Sequence, residues 1–162
     1  MKQAKRLLLV LAFILAACAP ITAPPVPTPP APTPLPEVPP ATMDDLVATQ
    51  WKLVSYGSPG AETPVVEGSE VTLAFQEDGQ AGGSGGCNSY GGPYVVEDGV
   101  LSFGEIVSTL VACLDEQVME QEQQYFQALQ SAGQYVRGAD QLTIYYDSGQ
   151  RVLNFVASPA PA

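Results

Sequence analysis

The sequence predicts a mainly β protein: a small antiparallel barrel or roll of short strands, with one α-helix at about residues 115–131 packed on it or capping it. Three observations carry this. Short runs of β-branched and aromatic residues recur between Trp51 and Val156. Asp78-Gly79, Asp98-Gly99 and Asp147-Ser148-Gly149 separate several of them; Asp tolerates left-handed backbone and Gly supplies positive φ, so each is a hairpin signal. Only one stretch, beginning at Asp115, has apolar residues at helical rather than alternating spacing.

The first element is a leader. Lys2, Lys5 and Arg6 precede an unbroken apolar run from Leu7 to Ala17, the layout of a secretion signal. As a helix the run would span only ~16 Å, against ~30 Å of hydrocarbon, too short for a permanent crossing. It ends Leu15-Ala16-Ala17-Cys18. Small residues suit a signal peptidase, and the tetrapeptide resembles the bacterial lipobox. That resemblance implies a signal peptide over 1–17, lipidation at Cys18, and an exported protein anchored to the bacterial membrane. Ala19 rather than Asp after the Cys implies the outer membrane in a two-membrane cell. An incidental Cys after an ordinary signal is the alternative.

Residues 18–42 follow as a linker, with 11 of the 16 prolines falling in 19–42. Proline fixes φ and removes donors, so neither helix nor sheet is expected. An extended spacer of 24 residues reaches ~70 Å; a ligand for a proline-recognition module is the other possibility.

The domain proper is placed at 43–158. Strands are expected at Trp51–Tyr56, Val71–Phe75, Leu101–Phe103, Ile106–Cys113, Leu142–Tyr146 and Val152–Val156. The helix is expected to be capped by Asp115, to turn Val118, Met119, Tyr125, Phe126 and Leu129 inward, and to end at Gly133. The densest signal is Gly79 to Tyr94. It lacks the Lys-Ser/Thr of a phosphate loop and the following helix of a dinucleotide fingerprint, so close backbone approach, a bulge or tight turning is its expected purpose.

Composition narrows function. The chain has no His, which excludes Ser-His-Asp triads, Cys-His pairs and His-ligated zinc. Without the leader, three basic residues remain against 17 acids, 3 − 17 = −14, a charge that disfavours nucleic acid and anionic lipid surfaces. No two carboxylates stand out as an acid–base pair, and Asp44-Asp45 and Asp115-Glu116 lack a calcium-loop pattern. No enzyme activity, metal or cofactor is therefore expected. Cys87 and Cys113 are the remaining thiols, and export makes a disulfide the expected state. Acidic neighbours argue against a reactive dithiol.

Trp51-Lys52-Leu53-Val54-Ser55, Gly86-Cys87-Asn88-Ser89-Tyr90-Gly91-Gly92-Pro93-Tyr94, Leu101-Ser102-Phe103-Gly104, Ser108-Thr109, Ala112-Cys113, Met119-Glu120-Gln121-Glu122 and Tyr125-Phe126-Gln127-Ala128-Leu129 together resemble the META domain of HslJ-like proteins. The resemblance runs over nearly all of 43–157. It departs at Leu110-Val111, where the family often has a basic or polar residue and Met. It implies a small barrel-like fold with one helix, links to heat shock, antibiotic tolerance or virulence, and no established catalysis. The expected role is thus a non-catalytic binding or stress-response module of the cell envelope. Its partner would be an unidentified envelope protein or a small ligand. Asn88, Tyr90 and Tyr94 are candidate binding-surface residues; the alternative is that Asn88 caps a turn and the tyrosines line the core. A lipocalin-like carrier of a small apolar ligand is the competing function.

Overall fold

The computed structural model describes residues 46, 47 and 49–158. The leader, Cys18, the Pro-rich segment and Asp44-Asp45 lie outside the described residues. Along the chain run β1 (Gln50–Ser58), β2 (Ala61–Pro64), β3 (Thr72–Phe75), β4 (Gln80–Ser84), β5 (Ser89–Glu97), β6 (Val100–Phe103), β7 (Val107–Ser108), α1 (Glu116–Gln130), β8 (Ala132–Arg137), β9 (Gln141–Tyr146) and β10 (Arg151–Ser158).

Eight strands pair antiparallel in the order β1-β3-β4-β5-β6-β8-β9-β10, and β10 pairs back onto β1, from Gln50↔Ser158 to Gly57↔Val152. The result is a closed barrel. Closure leaves these eight strands without a free edge. β2 folds back on β1, and β7 adds two residues beside β5. The Asp-Gly turns form as expected: Asp98 and Gly99 take φ of 51° and 76°, and Asp147, Ser148 and Gly149 are all left-handed.

Alternation along β9 sends Leu142, Ile144 and Tyr146 inward; Trp51, Leu53, Leu73, Phe75, Leu101 and Phe155 join them in one core. Each fully buried large side chain contributes about 1.5–3 kcal/mol, and together they fill the barrel with protein. Trp51 lies under the Arg137 guanidinium, 5.7 Å from its ring centroid.

The helix starts where Asp115 Oδ1 accepts from Gln117 N and Val118 N, at 2.9 and 3.4 Å. It ends at Ser131, whose N–H and hydroxyl both donate to the Gln127 and Ala128 carbonyls. Gly133 is therefore not the stop; it is a β8 residue. α1 reaches Tyr90 on β5, Phe155 on β10 and the β2–β3 loop. It touches strands from different sides of the barrel and so covers one end.

Two further expectations need correction. The inward arc of α1 is Gln121, Glu122, Tyr125, Ala128 and Leu129, while Met119 is exposed and Val118 and Phe126 are half-buried. The polar members can be buried because each finds partners: Gln121 accepts from Val66 N and donates to Ser69 Oγ. Of Ile106–Cys113, only Val107–Ser108 is strand. Past Ser108 one more backbone bond forms, from Thr109 N to the Ser89 carbonyl at 3.0 Å, and the next backbone partner, at Val111, is the side chain of Asn88.

The glycine-rich segment becomes β4, a short turn and β5, and close approach is its reason for being. A Cβ on Gly83 would lie 2.2 Å from the Thr72 carbonyl oxygen, and one on Gly82 2.7 Å from that of Tyr90.

Candidate functional site

Between β7 and α1 the chain runs over the surface, and two constraints set its path. Cys87 and Cys113 are joined by a disulfide, with Cα atoms 6.2 Å apart. Asn88 does the rest. Its Oδ1 accepts from Val111 N at 2.7 Å and Thr109 Oγ1 at 2.8 Å, and its Nδ2 donates to the Val111 carbonyl at 3.2 Å. The amide thus mimics a neighbouring strand for a segment that has none.

The same Nδ2 donates to Glu122 Oε1 at 2.7 Å, while Glu122 Oε2 accepts from Asn88 N at 2.6 Å and Cys87 N at 3.2 Å. Glu122 is only 7% exposed and has no cation beside it among the described residues. Three N–H donors replace the water it loses, which is how a carboxylate is kept under a protein surface. Gly85 makes room for this: a Cβ there would lie 2.7 Å from both Glu122 Oε2 and Phe126 Cζ.

Above Asn88 and Glu122 an open groove of about 780 Å³ separates the 109–112 loop from α1. Leu110, Val111 and Ala112 form one wall, and Met119 and Phe126 the other, with Glu116 and Glu120 on the helix rim. Its volume falls in the range of ligand-sized sites. Leu110 is 96% exposed and Leu114 fully so, with Val107, Val111 and Met119 also turned to solvent. Of these, Leu110, Val111 and Met119 line the groove itself, while Val107 and Leu114 do not.

The sequence candidates fall as follows. Cys87 and Cys113 are brought together. Asn88, Tyr90 and Tyr94 are all buried, the two tyrosines in the core, as the alternative reading of them expects. Tyr90 donates to the Thr72 carbonyl at 3.0 Å, and its hydroxyl lies 2.7 Å from that of Tyr125. Burial pushes both phenols well above the ordinary tyrosine range. Tyr94 donates to the Gln76 carbonyl and packs edge-on against Phe75. Asn88 alone borders the groove, as part of its floor. Sequence reasoning missed Glu122 and the exposed leucines. Glu122 stands three and seven positions before Tyr125 and Leu129, on the buried arc, and that spacing was its available signal. Among the described residues no cluster of three Cys, Asp or Glu could hold a metal ion, and no helix is long and apolar enough to cross a membrane.

Comparison with known proteins places this geometry. The sequence model of the META domain matches residues 44–159. An NMR structure of a protein from Burkholderia xenovorans is 31% identical, covers 84% of this chain and 99% of its own, and superposes with a TM-score of 0.63. A second NMR structure is 23% identical over 72% of this chain and 94% of its own, at a TM-score of 0.58. A DUF4847 family protein from Bacteroides vulgatus, known from a crystal structure, is 13% identical over 72% of this chain and 96% of its own, at 0.54; these last two share the fold. No curated protein matches the sequence.

Proposed function

The chain belongs to the META domain family, and from that premise we propose that it is a non-catalytic binding module of the cell envelope, tethered by lipid on Cys18 and docking a protein segment in the groove between the 109–112 loop and α1. The supporting observation is the apolar wall of that groove. Leu110, 96% exposed, belongs to a loop secured at Asn88 and Cys87 rather than one free to collapse. A role in stress tolerance is the setting the family resemblance suggests. The carrier alternative is disfavoured by an interior filled with Trp51, Leu53, Phe75, Ile144 and Phe155.

The test is site-specific photocrosslinking in intact cells, with the reactive side chain at Leu110, at Leu114, or at Val54 on the far β1 strand. A discrete heterologous adduct from positions 110 and 114, absent from 54, is the expected result. Adducts of doubled mass, purely intramolecular adducts, or equal labelling from all three positions overturn the proposal.

A further inference from the structure

We infer that the segment taken by this groove is cationic and amphipathic: apolar side chains on one face against Leu110, Val111, Met119 and Phe126, and Lys or Arg reaching Glu116 and Glu120. This deepens the docking proposal and rests on it.

The argument is one of charge complementarity at a concave apolar surface. Glu116 and Glu120 stand one helical turn apart on α1, and both line the groove beside Met119. Both are exposed, and neither has an ion-pair partner among the described residues. Asp115, which caps the helix, and the carboxylate of Glu122 in the floor add two more negative charges. No basic residue lines the groove. None of the three basic residues of the described domain forms an ion pair with the rim: Lys52 lies 3.8 Å from Glu70, Arg137 over Trp51, and Arg151 over Tyr146, where it shares a second pocket with Glu120 and with Gln124, which donates to Glu120 at 3.3 Å. An anionic segment would meet three carboxylates, Glu116, Glu120 and Glu122, offset in part by the N-terminal end of the α1 dipole. A neutral apolar one would bury Leu110 and Met119 but leave the rim charges facing apolar surface. A cationic amphipathic segment satisfies both walls at once, as helices do in apolar grooves with charged rims.

The experiment uses the full chain in non-ionic detergent and three short dye-labelled peptides with the same leucine pattern, carrying Lys, Ser or Glu at the polar positions. Binding is read by anisotropy at two salt concentrations, against protein-free micelles. The Lys peptide is expected to bind, with affinity falling as salt rises. Glu116→Gln with Glu120→Gln should weaken it about fivefold, the size of two exposed ion pairs. Glu77→Gln with Glu97→Gln removes the same charge from the β3–β4 turn and the end of β5, neither of which lines the groove, and should leave it unchanged. Leu110→Ser with Leu114→Ser should weaken the Lys and Ser peptides alike. If the Ser peptide binds as well as the Lys peptide, docking stands and the cationic assignment is wrong. Equal weakening by both Glu-to-Gln pairs also overturns the assignment, as non-specific attraction. If no peptide binds above the micelle background, the docking proposal falls with it.

Discussion

Asn88→Ala is the sharpest probe of how the groove is held. The substitution removes four side-chain hydrogen bonds, to Thr109, twice to Val111, and to Glu122. These are not equal. Val111 and Thr109 are exposed, so water can take over there, and the loss is about 0.5 kcal/mol at each. Glu122 is 7% exposed. Its Oε1 would lose its one protein donor, and a bond to a carboxylate is worth ~1.5–3 kcal/mol. The sum is about 3 kcal/mol, a sizeable share of a typical stability of ~5–15 kcal/mol. Trp51 is the single tryptophan and is fully buried, so its fluorescence reports unfolding in urea. With a slope of ~1.5 kcal/mol/M the midpoint should drop by ~2 M. Because most of the cost is a stranded carboxylate, Asn88→Ala with Glu122→Ala should cost less than the sum of the two single changes. A drop under ~0.5 M for Asn88→Ala, or strict additivity in the pair, would refute the assignment of Asn88 and Glu122 as a coupled strut.

Three other outcomes are expected. Gly83→Ala places a methyl 2.2 Å from the Thr72 carbonyl oxygen, a backbone atom held in the barrel ladder, so it should cost at least ~3 kcal/mol or prevent folding, whereas Gly133→Ala, with 3.6 Å of clearance, should change the urea midpoint little. Thiol titration of the denatured, unreduced protein should find no free cysteine at positions 87 and 113, and two after reduction; closing a loop of 26 positions contributes ~3–4 kcal/mol, so the reduced protein should melt earlier. The phenols of Tyr90 and Tyr125 are raised above the unfolded value of 10 by burial. The unfolded chain therefore releases these protons first, so stability is intact below about pH 10 and falls above it, by up to ~2.7 kcal/mol per pH unit for the two groups. Absorbance should show both ionising together with unfolding rather than in the folded state.

The barrel was legible because local chemistry and global fold agree where strands are apolar and turns are Asp-Gly. Leu142 to Tyr146 alternates, Asp98-Gly99 turns, and both do in the structure what their residues prefer. β4 was not legible as a strand, since Gln80-Ala81-Gly82-Gly83-Ser84 has almost no strand propensity. It is a strand because Thr72 and Tyr90 leave no room for side chains at Gly83 and Gly82, a fact of packing rather than of local preference. The same limit hid the site. Ile106–Cys113 has the composition of a strand, yet beyond Thr109 its backbone bonds the amide of Asn88, far back in the sequence, in place of a neighbouring strand. The sequence offers Asn88 as either a surface contact or a turn cap; in the structure it is buried and bonds Thr109 and Val111, so its effect on the surface is indirect.

That indirectness explains how four exposed apolar residues, Val107, Leu110, Val111 and Leu114, stay exposed. A loop of this composition gains about 25 cal/mol for each Å² of apolar surface it covers, and a free one would fold over onto the barrel. Here its first half is bonded to Asn88 and its end is fixed by Cys113 to Cys87. Both anchors sit at adjacent positions in one turn, which Glu122 in turn holds through two backbone N–H groups. The loop is thus ordered before any partner arrives, so association need not supply its conformational entropy. Loosening either anchor should then weaken docking without touching a contact residue. Cys87→Ser with Cys113→Ser, measured well below its melting temperature, should bind the cationic probe more weakly than the parent while Leu110 and Met119 remain in place. Unchanged affinity in that folded variant would mean that the disulfide serves stability alone and that Asn88 suffices to hold the wall.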